Sequence, residues 1–362
     1  MTNSYTRFTK FTFVIKGVAF AILFLLFSFF SINSLKAQDI HFSQFGNVPL
    51  QLNPAMTGVF LGETRFNGNY RAQWYDVPVT YRTAYFAVDR KWYLCEEKTR
   101  FIGGGLVFNH DWAGDGNLGT TQLGLNLAYT TRVAKKHYLS AGLQVAGYQR
   151  SFETDNLEFD EQFGSKGFDP SFANNENFFD QSIIYLDFSA GVNWHFQHPN
   201  QTKRTRWDLG VGLFHINTPQ KSFWDDPTVE LPARWAIHGL GLFQVGGKTD
   251  VVATLVGAFQ GPHTEYLIGG AVKQHLNLNR TKELAVQLGL SYRFNAEGFG
   301  TGDAIIPAIE IHHKAWTVGI SYDINISDIN IATNNFGGPE ISVIHTIKKP
   351  DVDFCPTCPV YL

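Results

Sequence analysis

Residues 38–90 read QDIHFSQFGNVPLQLNPAMTGVFLGETRFNGNYRAQWYDVPVTYRTAYFAVDR. The first half is rich in Pro, Asn and Gly and has no clear period. At Thr64 the pattern switches to period two. Thr64, Phe66, Tyr70, Ala72 and Trp74 fall on one side of the chain, and Arg65, Asn67, Asn69, Arg71 and Gln73 on the other. Tyr75–Pro78 reads as a turn, and Val79–Arg90 as a second alternating run. An irregular lead-in passing into long alternating strands is how an outer-membrane barrel starts.

The same period recurs downstream. Leu123, Leu125, Leu127 and Tyr129 alternate with Gln122, Gly124, Asn126 and Thr130. Leu139, Ala141, Leu143 and Val145 alternate with Ser140, Gly142 and Gln144, and only the short stretch around Ala134–Lys136 separates the two runs, as in a hairpin. Further strands are expected at Phe101–His110, Ile184–His195, Thr205–Ile216, Leu231–Gln244, Lys248–Gln260, Thr264–Leu276, Glu283–Arg293, Ala304–His313, Trp316–Asn325 and Gly338–Lys348. That makes about fourteen, an even number as in single-chain bacterial barrels. Asp111–Gly116 reads as a turn cluster.

Alternation alone also fits a soluble sandwich. The runs, however, reach the ~9–11 residues of a tilted membrane strand rather than the ~5–6 of a globular one. The non-apolar face carries Gln, Asn, Ser, Gly, Asp and Arg, which suits a wet lumen. For a chain that starts in the periplasm, the returning turns there include the short Ala134–Lys136, Gly246–Gly247 and His313–Ala315. The other side receives Ser151–Gln181, Asn217–Glu230, Asn295–Gly302 and Ser327–Gly337. Short inner turns and long outer loops are the outer-membrane pattern. Lys91–Arg100, Gln197–Arg204 and Gln260–His263 are exceptions.

The expected organisation is therefore a signal peptide at 1–37, an N-terminal segment at 38–62, an antiparallel outer-membrane β-barrel at 63–348 and a periplasmic tail at 349–362, with both chain ends beneath the membrane. Arg7, Lys10 and Lys16 precede the apolar run Gly17–Ile32, and Ala37 offers a small residue for cleavage before Gln38. Gln38–Gly62 either folds inward as a plug or remains a periplasmic lead-in that ties down the first strand.

Composition agrees. The chain has 362 residues, a formal net charge of −3, and 32 Phe, 14 Tyr and 8 Trp. This balance gives no reason to expect nucleic acid as a partner. Mean hydropathy of −0.13 argues against a helical membrane protein but not against a barrel, which shows lipid only alternate residues. The aromatic load suits girdles at two interfaces.

No enzyme site stands out. His312 and His313 are adjacent in a strand and face opposite sides, so they cannot chelate together. His41, His195, His238 and His275 are isolated and read as lumen or interface residues. Asp111, Asp115, Gly116 and Asn117 lack the terminal Glu of a calcium loop. Gly103–Gly105 is followed by no Lys-Ser/Thr or helix and is not a phosphate loop. Cys355 and Cys358 have CxxC spacing without a second pair or a nearby His, so a local disulfide or free thiols are expected before a zinc site. No cofactor is expected. Ser151–Gln181 is too long for a plain connection and carries Phe152, Phe159, Phe163, Phe168, Phe172, Phe178 and Phe179. These aromatics either offer a surface to a partner or fold back to seal the barrel mouth.

The block His41, Phe42, Ser43, Gln44, then Pro49, Leu52-Asn53-Pro54-Ala55, Thr57-Gly58, Tyr70-Arg71, Gln73-Trp74 and Tyr81-Arg82-Thr83 resembles the PorP/SprF family of type IX secretion system membrane proteins from Bacteroidetes. Similar echoes are Asn109, Asp111 and Gly114, Leu139–Gln144, Asp169-Pro170, Gly319–Asp323 and Glu340–Ser342. The resemblance implies an outer-membrane barrel without known enzymatic activity. It implies work with periplasmic ring and translocon proteins, in export or surface retention of cargo carrying C-terminal secretion domains, gliding adhesins included. The family has no catalytic motif, so no active residues carry over. The competing expectation is a channel for hydrophobic solutes, like the fatty-acid transporters, with Gln38–Gly62 as its plug.

Overall fold

Fourteen antiparallel strands pair in sequence order and close into one barrel in the computed structural model. They are β1 (Thr64–Gln73), β2 (Tyr81–Tyr93), β3 (Arg100–Ala113), β4 (Leu118–Ala134), β5 (His137–Ser151), β6 (Ser182–Gln197) and β7 (Arg206–Phe214). β8 (Arg234–Gln244), β9 (Thr249–Gln260), β10 (His263–Asn277), β11 (Leu284–Asn295), β12 (Gly302–His313), β13 (Trp316–Asn325) and β14 (Phe336–Ile347) complete the wall. Pairs from Thr64↔Ile347 to Arg71↔Glu340 close it. The structure describes residues 39–347 apart from 74–80, 95–97, 115, 155–156, 165–166, 170, 173–180, 199–202, 280, 296–301 and 328–335. The expectations for the signal peptide, the tail, Trp74, the turn Tyr75–Pro78, Phe178, Phe179 and all three cysteines lie outside the described residues.

The faces are inverted relative to a water-soluble sheet. On β4 and β5, Leu123, Leu125, Leu127, Leu139 and Leu143 point outward and are exposed, while Gln122, Asn126, Thr130, Ser140 and Gln144 are buried inside. β6 repeats this, with Ile184, Leu186 and Val192 outside and Asp187, Ser189 and Asn193 buried. A sheet that shows leucine to its surroundings and hides amides and carboxylates is built for lipid, where each outward polar group costs free energy. Outward aromatics gather at both rims. Trp92, Trp194, Trp207 and Trp316 lie near one, with Phe196 stacked on Trp207 at 5.4 Å; Trp112 and Trp235 lie near the other.

The connections sort by rim. One rim carries turns such as 135–136, 245–248 and 314–315, and the other carries the loops 152–181 and 215–233. Boundaries differ from expectation in places. Asp111–Ala113 continue β3 instead of turning, because Arg82↔Trp112 and Thr83↔Asp111 keep the ladder going. β7 stops at Phe214, because His215 takes a left-handed φ of 57° that no strand accommodates. Within the long loop, Phe163–Gly164 and Gly167–Phe168 form a small ribbon outside the wall.

Candidate functional site

The barrel is not hollow: residues 39–62 run down its inside. Asp39 lies at the long-loop rim, where its amide donates to Gln260 Oε1 at 3.0 Å. Glu63, just before β1, lies at the short-turn rim and donates to the Ile347 carbonyl at 2.9 Å. The expectation for the two chain ends themselves lies outside the described residues, but Asp39 and the end of β14 are at opposite ends of the barrel. The reason is length. Twenty-four residues in short helical turns are needed to bring the chain back down to where β1 begins.

Local sequence explains the compact path. Phe45–Asn47, Pro49–Leu52 and Pro54–Met56 are single turns, and Pro49 and Pro54 take first-turn positions where their missing N–H costs nothing. Asn53 caps the last turn by accepting from the Ala55 amide at 2.8 Å, and its Nδ2 donates to the Val192 carbonyl of β6 at 2.8 Å. Gly58, at φ 79°, lets the chain bend away.

Polar contacts tie this plug to inward side chains around the wall. Glu340 on β14 accepts from the Ser43 amide at 2.6 Å and the Gln44 amide at 3.0 Å. Ser43 Oγ donates to Asp323 at 2.8 Å, and Asp323 also holds Arg71 and Arg293, each at 2.8 Å. Arg71 reaches on to the His41 carbonyl at 2.6 Å. Lower down, Asn47 donates to Glu310 and Ser342, and its carbonyl accepts from Asn67. Near the short-turn rim the Gly58 amide donates to Asp89, which pairs with Arg65, while Lys91 holds the Phe60 carbonyl. Almost every lumen charge in this set has an opposite charge beside it, as burial requires.

Apolar contacts complete the fit. Phe42, Val48 and Leu50 pack with Tyr85, Ala87 and Val107, and Phe45 and Leu52 pack with Val256, Leu267, Ala304 and Ile306. Burying these five plug side chains contributes roughly 10 kcal/mol as an upper estimate.

The wall leaves room for the plug backbone along a belt of small residues. Gly103, Ala128, Gly142, Gly191, Gly212, Ala236 and Ala258 are successive cross-strand partners from β3 to β9. A Cβ on Gly142 would lie 2.5 Å from Ala55 N and Pro54 O, and one on Gly212 would lie 2.5 Å from the Leu52 carbonyl. Side chains on Gly103 and Gly191 would meet Thr57 and Asn53. Here glycine is required by the close approach of two backbones.

At the long-loop rim, Asp39 is held by His215 Nε2 at 3.2 Å and Arg234 Nε at 3.5 Å. His215 Nδ1 faces Asp187 at 2.9 Å. Above them the long loop is anchored at its base: Glu153 N donates to the Gly116 carbonyl at 2.7 Å, and Phe152 meets Phe223 edge-on at 4.8 Å. Phe163, Phe168 and Phe172 stand 51%, 40% and 48% exposed, with Phe159 half-buried.

The structure therefore brings His41, Phe42, Ser43, Gln44, Pro49, Asn53, Pro54, Gly58 and Arg71 together in the lumen. Gln73, on the same face of β1, lies beside Arg293, Asp303 and Asp323, next to the residues that hold Ser43 and Arg71. Of the isolated histidines, His195 bonds Asp208 at 2.9 Å, His238 bonds Asn193 at 3.2 Å and His275 bonds Asp250 at 2.8 Å, all inside the barrel. Among the described residues no group of three His, Cys, Asp or Glu is arranged to hold a metal. Sequence reasoning passed over Asp39, Asp89, His215, Arg234 and the alignment of the glycine belt, and it placed Asp187, Arg293, Asp323 and Glu340 in strands or family echoes without giving them plug partners. Charged residues at inward positions of otherwise uncharged strands were the available signal for the wall residues.

A family model described as the type IX secretion system membrane protein PorP/SprF matches residues 34–344. No curated protein matches the sequence. Among solved structures, the CymD monoaromatic hydrocarbon channel is similar at 10% identity and TM-score 0.46, over 84% of this chain and 94% of that one. The toluene transporter TbuX of Ralstonia pickettii is similar at 10% identity and TM-score 0.45, over 83% and 92%. BamA of Haemophilus ducreyi lacking POTRA domains 1–3 is similar at 8% identity and TM-score 0.42, over 79% and 70%.

Proposed function

Because the chain belongs to the PorP/SprF family of type IX secretion system membrane proteins, we propose that it is a non-enzymatic outer-membrane docking component. In this reading it works with periplasmic ring and translocon proteins and supports export or surface retention of cargo with C-terminal secretion domains. The short-turn rim faces the periplasm and the long loops face outward. This reading includes cleavage after Ala37, which the place of Asp39 at the outer mouth favours over a retained apolar leader.

The observation that carries this reading is the pairing of a filled lumen with an open aromatic surface. Between Asp39 and Gly62 the interior is occupied by chain, charge pairs and amides. Phe163, Phe168 and Phe172 meanwhile remain exposed on an anchored loop. Clustered exposed aromatics mark protein contact. A channel for hydrophobic solutes is the second reading, favoured by the presence of a plug. The inward face opposes it, because Asp187, Arg71, Arg293, Asp323 and Glu340 give an apolar solute no dry path.

The test is the triple variant Phe163→Ser, Phe168→Ser, Phe172→Ser. Surface-displayed cargo and proteins co-purifying from outer membranes are expected to fall at least tenfold, while the barrel keeps its heat-modifiable migration. Normal cargo display by the triple variant would reject the contact role. Loss of solute uptake with intact cargo display would favour the channel.

A further inference from the structure

The loop between β7 and β8, residues 215–233, is described throughout and has an internal architecture of its own. Gln220 bridges Glu230, Lys221 N donates to the Val229 carbonyl at 3.0 Å, and Leu231 N donates to the Pro219 carbonyl at 2.9 Å. Its first residue, His215, is fully buried and bonds Asp39 of the plug on one side and Asp187 of β6 on the other. Its last turn also touches the plug's surroundings: the Pro232 carbonyl accepts from Gln260, whose Oε1 accepts from the Asp39 amide. Arg234, which opens β8, donates to the Ile40 and Gln51 carbonyls at 3.4 and 3.0 Å. Both ends of the loop thus grip the plug.

The middle of the loop grips something else. The Lys221 carbonyl accepts from Arg150 at 3.3 Å, the Arg150 guanidinium lies 5.2 Å from the Phe223 ring, and Phe223 meets Phe152. Arg150 and Phe152 flank Ser151, where β5 gives way to the aromatic loop. Asn217 adds a third attachment, with Oδ1 accepting from Phe188 N and Nδ2 donating to the Leu186 carbonyl. Of six non-glycine residues with positive φ among the described residues, three lie in this loop: His215, Thr218 and Asp225. Such backbone persists where surrounding contacts over-determine it. Trp224 is 57% exposed on the outer crown.

We propose that the β7–β8 loop is a clasp: displacing it from Arg150 and Phe152 at the outer mouth releases Asp39 and loosens the outer half of the plug. The outer half is then held from one side of the wall, by Arg71, Asp323 and Glu340, while Gly58, Asp89, Arg65 and Lys91 keep the inner half in place beside β1. The clasp gives the outer surface a physical route to the lumen through one connected element, and by linkage a loosened plug also loosens the loop. It rests on the contacts alone and stands whether or not the docking role does.

The experiment uses the full mature chain in liposomes, with its native cysteines replaced by serine and a single probe, Val48→Cys, in the fully buried plug position. The readout is the rate of labelling by a membrane-impermeant maleimide. Phe223→Ala, which removes a ring packed on Phe152 and Arg150, is expected to speed labelling at least fivefold. His215→Ala is expected to speed it at least tenfold, and the double variant no further than His215→Ala alone, since both act through one element. Phe86→Ala on the lipid face is the control and leaves the rate unchanged. Should His215→Ala not fold, His215→Gln, which keeps a hydrogen-bonding side chain, takes its place. A change under twofold in Phe223→Ala, or independent multiplication of the two effects, would overturn the clasp while leaving the docking proposal untouched.

Discussion

Gly142→Ala is the sharpest probe of how the plug is seated. The added methyl would lie 2.5 Å from Ala55 N and Pro54 O, whereas ordinary contact begins near 3.4 Å. Those atoms are backbone, so the plug must retreat by about 0.9 Å. That retreat stretches the Asn53–Val192 bond from 2.8 Å beyond useful range. Overpacking costs about 1–3 kcal/mol, and a lost hydrogen bond about 0.5–1.5 kcal/mol. The plug should thus be weakened by about 2–4 kcal/mol, well short of the roughly 10 kcal/mol held in its buried side chains. At about 1.4 kcal/mol per decade, a cysteine at Val48 should label about 30- to 1000-fold faster. The barrel itself should be unaffected, because no outward side chain changes. Gly147→Ala, on the same strand with open space around its Cβ position, should change nothing. If Gly142→Ala labelled at the wild-type rate, the plug would not rest on this belt.

Two further outcomes follow from the charges. Asp323→Asn leaves the guanidiniums of Arg71 and Arg293 without their shared carboxylate, and breaking a buried pair costs about 3–5 kcal/mol. The heat-modification midpoint should drop by several degrees, and an unchanged midpoint would show that the pairs are dispensable. The second outcome concerns pH. Burial opposes the charged form of His215, yet the hydrogen bonds and charges of Asp187 and Asp39 outweigh it and push the pKa up to about 9. Arg234 and Tyr148 also face this group. A pKa raised on folding stabilises fully below the ordinary histidine value and ceases to as pH rises through the raised one. Plug labelling, normalised to a cysteine at exposed Ser171, should be slow near pH 6–7 and accelerate between about pH 8 and 10. His215→Gln should flatten that profile; an identical rise in the variant would remove His215 from the explanation.

Much of the wall was legible because a strand's period is local. Leu123, Leu125 and Leu127 against Gln122, Gly124 and Asn126 state two faces within a few residues, whatever lies elsewhere. Strand ends were less legible. His215 and Asp111 misled because a left-handed φ or a continuing ladder is decided by the neighbouring strand. The N-terminal block was visible as a group of residues, but its geometry was not. Nothing in Ser43 or Gln44 reveals a partner at Glu340, nearly three hundred residues away.

Alternation fixed which residues share a face, since a residue cannot change face without breaking period two, and only together with the strand lengths and the short and long connections did it point to a closed sheet with leucine outward and amides inward. Which way the N-terminal segment runs through that sheet was a different matter. So were the alignment of Gly103, Gly142, Gly191 and Gly212 into one belt and the linking of a loop to the plug through His215. Those depend on the register between strands distant in sequence, and register is set only when the whole cylinder closes.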